Sequence, residues 1–322
     1  MTTVSALTIA GGRDQHLKNV IRGFAGQDHK IDELIIGVMQ DDEYTDLPQT
    51  DFPIRQILMT GPDLCMAAAR NAVADAARGA VLLFVDVDCI PAPDFVSTYV
   101  NRMEGRTGLF MGEVQYLPAG ATEGGLDFDQ FAQISVKHSD RQGPPAKGIA
   151  PCADYRCFWS LNFAMHRGCW QNGPRFDEGF TGYGGEDTDF GRALSEVGTP
   201  IWWIAGGRVF HQYHPHCMPP VHHMESVMRN ADLFARKWGH RTMEHWLYAF
   251  QLMGLIRNDP EGLVVLRQPD QADYDLCAQH SHMPYANTRR VIDHLQACGD
   301  WTAERARSVR DAEAAMLLPA AE

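Results

Sequence analysis

The sequence is short of positive charge and of long apolar runs. Its 322 residues carry 28 Lys and Arg against 41 Asp and Glu, a net charge of −13. Nucleic acids and anionic lipid surfaces are bound through clustered Lys and Arg, so this balance argues against both as partners. No apolar run approaches the ~20 residues that span a bilayer, so no transmembrane segment is expected. The opening stretch, MTTVSALTIAGGRDQHL, lacks the basic segment and apolar core of a secretory leader. No CxxC pair occurs among the eight cysteines, and Cys152 and Cys157 are too isolated for a four-ligand zinc site. Internal repeats and low-complexity tracts are missing too. Together these absences lead to the expectation of a cytoplasmic protein with reduced, buried thiols. An acidic chain that must hold an anionic ligand then needs a divalent cation or a local set of arginines.

What is present is an alternation of strand and helix patterns. SALTIAGG, DELIIGVMQ, PIRQILMTG and AVLLFVDVD read as strands. Between them, Leu17, Val20, Ile21 and Phe24 fall at helical spacing, and LCMAAARNAVADAARG reads as an Ala-rich helix closed by Gly79. Continuous apolar strands separated by helices imply an α/β fold with a mainly parallel sheet covered on both faces. Such sheets bind ligands beyond the carboxyl ends of their strands, where Asp41, Asp42, Asp86 and Asp88 stand. Further on, GLFMGEVQYLP reads as a strand, residues 119–150 as a loop-rich region with Gly and Pro, and RCFWSLNFAMHRGCW as a strand or hairpin. FTGYGGEDTDFGRALSEVG reads as a glycine-rich turn entering a helix capped by Gly198, and PIWWIAGGRVFHQYHPH as a strand pair ending in histidines. Trp202 and Trp203 are expected in the core. Residues 222–255 read as helix, the remainder as short helical pieces, and the Ala-rich end at 312–321 as a frayed tail.

Three groups carry chemistry. In an extended stretch residues i and i+2 share a face, so Asp86 and Asp88 are expected to address one ion with Val87 turned away. Oxygen ligands favour Mg²⁺ or Mn²⁺. In GYGGEDTDFG, glycines admit backbone with positive φ and close ligand approach, and Glu186, Asp187 and Asp189 open a helix. A carboxylate at a glycine-lined cleft suits a general base. His211, His214 and His216 follow a strand within six positions, and a neutral imidazole is a good third ligand for Mn²⁺.

These pieces, in the order AAARNAVADAARGAVLLFVDVDCIPAPDF, WSLNFAMHR, FDEGFTGYGGEDTDFGRALSEVG and VFHQYHPH, resemble a GT-A fold, nucleotide-sugar-dependent glycosyltransferase. The chain is similar to family-2 inverting transferases, with a second half resembling the galactosyltransferase type that carries a Gly-Gly-Glu-Asp turn. The resemblance covers roughly residues 4–240. It implies a GT-A (Rossmann-like) catalytic domain over 1–220, with a nucleotide-binding half at 1–100 and an acceptor and metal half at 101–220. A helical extension follows at 221–322, packing on the domain, covering the acceptor cleft or making a homodimer contact. The resemblance also implies that Asp86, Asp88 and His211 hold Mn²⁺ or Mg²⁺ on the donor diphosphate, with Asp88 the more direct ligand and His214 and His216 as alternatives. Asp187 becomes the base that deprotonates the acceptor hydroxyl, and Glu186 helps hold the acceptor. Ala10, Gly11, Arg13, Gln40, Asp41, Arg70, Asp86 and Val87 are placed at the nucleotide, with Asn71 bracing its helix. Trp159, Asn162, Gly184 and Gly185 shape the sugar pocket. The implied partners are a UDP-linked hexose donor and a glycan or small-molecule acceptor. Two features depart from the family pattern: IAGGRDQ follows the first strand, and VMQDDEYTD ends the second. The competing readings are a metal-dependent phosphohydrolase and a non-catalytic nucleotide-sugar binding module.

Overall fold

The structure is a computed structural model that describes residues 2–59 and 65–299. The expected frayed tail at 312–321 lies outside the described residues. The chain divides into two compact units, Met1–His214 and Pro215–Glu322.

The first unit opens with β1 (Val4–Ala10), α1 (Asp14–Ala25), β2 (Glu33–Val38), β3 (Ile54–Leu58), α2 (Met66–Ala76) and β4 (Val81–Val85). The helical spacing read from the sequence is the buried face of α1: Leu17, Val20, Ile21 and Phe24 are fully covered. Each such side chain contributes ~1.5–3 kcal/mol. Every residue of β4 is buried, as its unbroken apolar run requires of a strand covered on both faces. Next come β5 (Cys89–Pro91), α3 (Phe95–Met103), β6 (Leu109–Met111), β7 (Val114–Tyr116), α4 (Phe128–Ile134) and β8 (Ile149–Pro151). The unit closes with β9 (Asn162–His166), α5 (Arg167–Asn172), α6 (Glu186–Glu196), β10 (Ile201–Ile204) and β11 (Val209–His211).

The main sheet has eight strands in the order β3-β2-β1-β4-β9-β6-β10-β8. It is mainly parallel. β9 runs antiparallel to both β4 and β6, and β8 antiparallel to β10. The expected helix-flanked α/β architecture is therefore present. Its core gathers Phe84, Phe158, Phe163, Trp170, Phe176, Phe190 and Trp203, with Phe84 stacked on Phe163 and Phe176 on Phe190, each pair 4.2 Å between centroids. Trp203 is in the core as expected, but Trp202 is only half-buried, with its indole N–H donating to the Thr107 carbonyl at 2.9 Å.

A second sheet, β5-β11-β7, stands beyond the carboxyl end of β4. The single strand expected over GLFMGEVQYLP is instead two. β6 joins the main sheet and β7 the small one, and the chain changes sheet at Gly112. A Cβ on Gly112 would sit 2.1 Å from the Gly207 carbonyl oxygen and 2.8 Å from the Tyr99 hydroxyl. Gly112→Ala is therefore expected to cost ~1–3 kcal/mol through overpacking, read as a lowered midpoint in denaturant unfolding.

Three further expectations are corrected. Gly79 does not close α2: the cap residue is Ala77, and Gly79 is required because a Cβ there would lie 2.5 Å from the Ser5 nitrogen. Only Cys89 and Cys277 are buried; the other six cysteines are half-buried. The third concerns the second unit. It contains α7 (Met224–Trp238), α8 (Glu244–Leu252), α9 (Gln271–Cys277) and α10 (Thr288–Cys298), but also a hairpin of β12 (Ile256–Asp259) and β13 (Gly262–Val265). Asp259-Pro260-Glu261-Gly262 is the turn signal that marks it, with Pro and Gly where a type I turn favours them. Gly198 does follow α6 with φ of +69° and donates its N–H to the Ser195 carbonyl. No helix among the described residues is long and apolar enough to cross a membrane.

Candidate active site

The strand β4 stops at Val85. The Cys89 N–H then donates to the Asp86 carbonyl at 2.9 Å, closing a turn over Asp86–Cys89. Asp86-Val87-Asp88 is thus not extended, and the alternation rule that would aim both carboxylates at one ion does not apply. The two acids have different partners.

Asp88 is brought to histidines by the small sheet. β11 pairs with β5 so that His211 lies opposite Cys89, and the Gln212 N–H donates to the Asp88 carbonyl at 2.7 Å. His211 Nε2 is 3.5 Å from Asp88 Oδ1, and His214 Nε2 is 3.3 Å from Asp88 Oδ2. Ligand atoms of Asp88, His211 and His214 lie within 4.8 Å of one another, as a metal site needs. One carboxylate and two imidazoles suit Mn²⁺ better than Mg²⁺, which prefers oxygen donors and water. The set keeps Asp88 and His211 of the expected ligands and adds the alternative His214. His216 falls in the second unit. Arg13, expected near the nucleotide phosphates, donates to Asp88 Oδ2 at 3.1 Å and approaches His214 Nδ1 at 3.3 Å. Burial alone would raise the Asp88 pKa. The charges of His211, His214 and Arg13 outweigh it and hold this carboxyl far below the usual range.

Asp86 faces the other way. Its Oδ1 is 3.3 Å from Arg70 Nη2, and Arg70 Nη1 donates to Glu186 Oε1 at 2.9 Å. Arg70 is 4% exposed and lies over the Phe176 ring at 5.4 Å. It thus ties the β4 turn to the first turn of α6. Burial, together with the charges of Asp88 and Glu186, raises the Asp86 pKa to about 6 despite Arg70. Asn71 braces this helix as expected: its amide bonds the Phe176 backbone and Glu178.

The α6 end is formed by the glycines. Gly184 and Gly185 have φ of +90° and +93°, and Gly185 is the N-cap residue. The turn delivers Glu186, buried against Arg70, and Asp187, half-buried. Burial first, then the Glu186 charge, raises the Asp187 pKa to about 7; Arg70 and the Thr188 N–H and hydroxyl partly offset them. Tyr183, not singled out from the sequence, feels Glu186, Asp187, Asp88 and Asp86 together, and burial with these charges raises its pKa. Tyr183 therefore lies within electrostatic reach of both acidic groups. Its signal was its place inside the glycine turn.

The remaining expected residues are spread more widely. Gly11 is packed against β2, since a Cβ there would lie 2.8 Å from the Met39 carbonyl oxygen. Gln40 Oε1 accepts from the Gly12 N–H at 2.8 Å, which holds the first two strand ends together. Ala10 ends β1 in the core and Asp41 is exposed beyond β2. Val87 is 9% exposed. Asn162 is wholly buried. Its amide is bonded by the Tyr99 hydroxyl at 2.6 Å, the Gly112 N–H at 2.9 Å and the Glu113 carbonyl at 3.1 Å, so it supports the strand ends from beneath. Trp159 is half-buried, with the His138 ring edge-on at 5.3 Å.

Comparison with known proteins agrees with the first half of this arrangement. Residues 13–145 match Glycosyl transferase family 2. Validoxylamine A glucosyltransferases of Streptomyces hygroscopicus subsp. jinggangensis (strain 5008) and subsp. limoneus are each 34% identical over 86 residues. That overlap is 25% of this chain and 18% and 17% of those proteins, so the match spans less than a fifth of the relatives' length. Among solved structures, GalNAc-T7 with UDP, GalNAc and Mn²⁺ has a TM-score of 0.46 at 14% identity, covering 66% of this chain and 44% of that one. Staphylococcal TarS (residues 1–349; S. aureus) has a TM-score of 0.46 at 14% identity, covering 72% and 65%. The stretch that matches Glycosyl transferase family 2 runs from Arg13 through Arg70, Asp86 and Asp88 to residue 145.

Proposed function

We propose that the protein is an inverting, metal-dependent glycosyltransferase that moves a hexose from a nucleoside diphosphate sugar, UDP-linked on family resemblance, to an acceptor hydroxyl. The observation that carries this reading is a pair of unlike acidic groups, one after β4 and one at the start of α6, whose turns Arg70 ties together. One is an ionised Asp88 among His211, His214 and Arg13; the other is Asp187, with its pKa near 7.

Their chemistry divides the work. A divalent cation held by Asp88, His211 and His214 supplies Lewis-acid stabilisation of the leaving diphosphate. Arg13, bonded to the same carboxylate, adds a fixed positive charge on that side. Asp187 takes the proton of the attacking hydroxyl at its carboxylate, and a pKa near the working pH is what that task favours. Glu186, clamped by Arg70, supplies the neighbouring charge that keeps Asp187 basic. A single displacement with one base inverts the anomeric centre. Asp86 acts through Arg70, holding the turn in place.

The test is ligand binding read without turnover. Mn²⁺ is expected to raise the unfolding temperature of the wild type, and a UDP- or GDP-sugar to raise it further only with Mn²⁺ present. His214→Ala is expected to weaken Mn²⁺ binding by about tenfold or more. Lack of any Mn²⁺-dependent response to nucleotide sugars would sink the reading.

A further inference from the structure

Arg141 stands apart from the residues that the proposed reaction uses. Its guanidinium carbon lies 5.1 Å from the ring centroid of Trp203 and 5.9 Å from that of Trp159. Its Nε and Nη2 are buried and have no hydrogen-bond partner. The contrast is with Arg70, which is more deeply buried and is bonded to Asp86 and Glu186, whereas Arg141 is half-buried as a residue with these two nitrogens covered. A buried cation without an acceptor is costly, and proteins retain one where a ligand supplies the missing oxygens. The groups that feel Arg141 are Tyr116, Tyr99, Cys89 and Cys157, none of them a carboxylate, and burial pushes its pKa down.

Arg141 lines a cleft of about 160 Å³ with Gln142, Cys157 and Trp159. The two carboxylates at this cleft are engaged. Asp154 is gripped by Arg156 at 2.7 and 2.8 Å, and Asp140 accepts the Ser139 hydroxyl at 2.9 Å. A row of rings leads from the cleft to the metal-type cluster: Trp159 to His138 at 5.3 Å, His138 to Tyr116 at 5.5 Å, and Tyr116 stacked on His211 at 4.6 Å. Aromatic faces next to a planar fork of N–H donors suit a sugar that carries an acid group.

We propose that Arg141 is the receptor for an anionic oxygen group, a carboxylate or a phosphate, borne by a substrate of this site. The inference rests on the glycosyl-transfer reading for the word substrate and deepens it: one of the two substrates is an acid at the position that Arg141 reaches. The anion belongs either to the acceptor or to the donor diphosphate, and binding experiments separate these. UDP with Mn²⁺, D-glucuronate and the neutral methyl glucoside are titrated into wild type, Arg141→Met and Arg141→Lys by calorimetry. The expected result is that Arg141→Met weakens UDP or glucuronate by roughly tenfold or more, the value of a charged hydrogen bond, and leaves methyl glucoside unchanged. Loss confined to glucuronate assigns the acceptor; loss confined to UDP assigns the donor. Arg141→Lys keeps the charge but not the fork, and is expected to bind the same probe more weakly at an unchanged melting temperature. Arg141→Met is expected to melt no lower than wild type, because the residue removed is an unpaired buried charge. Affinities within twofold of wild type for both anions in both variants overturn the proposal. Wild type that binds glucuronate through Arg141 but no nucleoside diphosphate with Mn²⁺ overturns the transferase reading and leaves the anion site standing.

Discussion

Asp187→Asn is expected to lower kcat for sugar transfer by ~10²–10⁴-fold, with donor affinity changed little. The substitution keeps the shape and removes the basic oxygen. Its size follows from what a positioned base contributes to proton removal. The pH profile gives a second, independent signature. With the Asp187 pKa raised to about 7, the wild-type rate is expected to fall about tenfold per pH unit below that value, because only the ionised carboxylate accepts the proton. Glu186 is one of the causes of the rise, so Glu186→Gln is expected to move this limb to lower pH. Stability carries the opposite sign. A carboxyl whose folded pKa exceeds its unfolded value contributes stability at low pH that is lost as pH rises from about 4 to about 7. Asp187→Asn is thus expected to melt higher than wild type at pH 8, while the two converge near pH 4. An Asp187→Asn enzyme with half the wild-type rate, or a wild-type rate flat from pH 5.5 to 8, removes Asp187 from the role of base.

How far the sequence carries this site depends on the range of the interactions. Local patterns are legible. The apolar run 81–85 is the buried strand β4, and Leu17, Val20, Ile21 and Phe24 are the inner face of α1. The Gly-Gly turn ahead of Glu186 adopts the positive φ that only glycine takes without cost. Where β4 stops is less legible, since Asp86 and Asp88 continue an alternating pattern that the turn at Cys89 interrupts. That one turn decides which acid meets histidines. The register of β11 on β5, set by residues more than a hundred positions apart, decides which histidines they are. Arg70 and Arg141 show the same limit. One arginine is matched to acids 16 and 116 positions away, and the other is left between two tryptophans. No spacing within either segment distinguishes them.

Arg70→Met has the other large expected effect, on stability rather than on rate. Arg70 is 5% exposed at its side chain, Glu186 7% and Asp86 25%, so the guanidinium compensates two carboxylates largely withdrawn from water. Removing it leaves both without their cation, which costs ~3–5 kcal/mol in comparable buried pairs. The loss is expected to depend on pH. Asp86, with a pKa of about 6 even beside Arg70, is mostly protonated at pH 5 and needs little compensation there. Its raised pKa means stability is lost as pH rises through about 6, and more so without the guanidinium. Urea unfolding of Arg70→Met should therefore show a deficit that is smaller at pH 5 than at pH 8. Arg70→Met with Glu186→Gln should recover part of it, since one of the two orphaned charges is then gone. The same substitution acts on catalysis, because Arg70 is among the groups that lower the Asp187 pKa. Without it, the acid limb of the rate profile moves to higher pH, opposite to the shift expected of Glu186→Gln. A deficit that is equal at pH 5 and pH 8 would mean that Arg70 acts by packing on Phe176 and not by holding two acidic turns together.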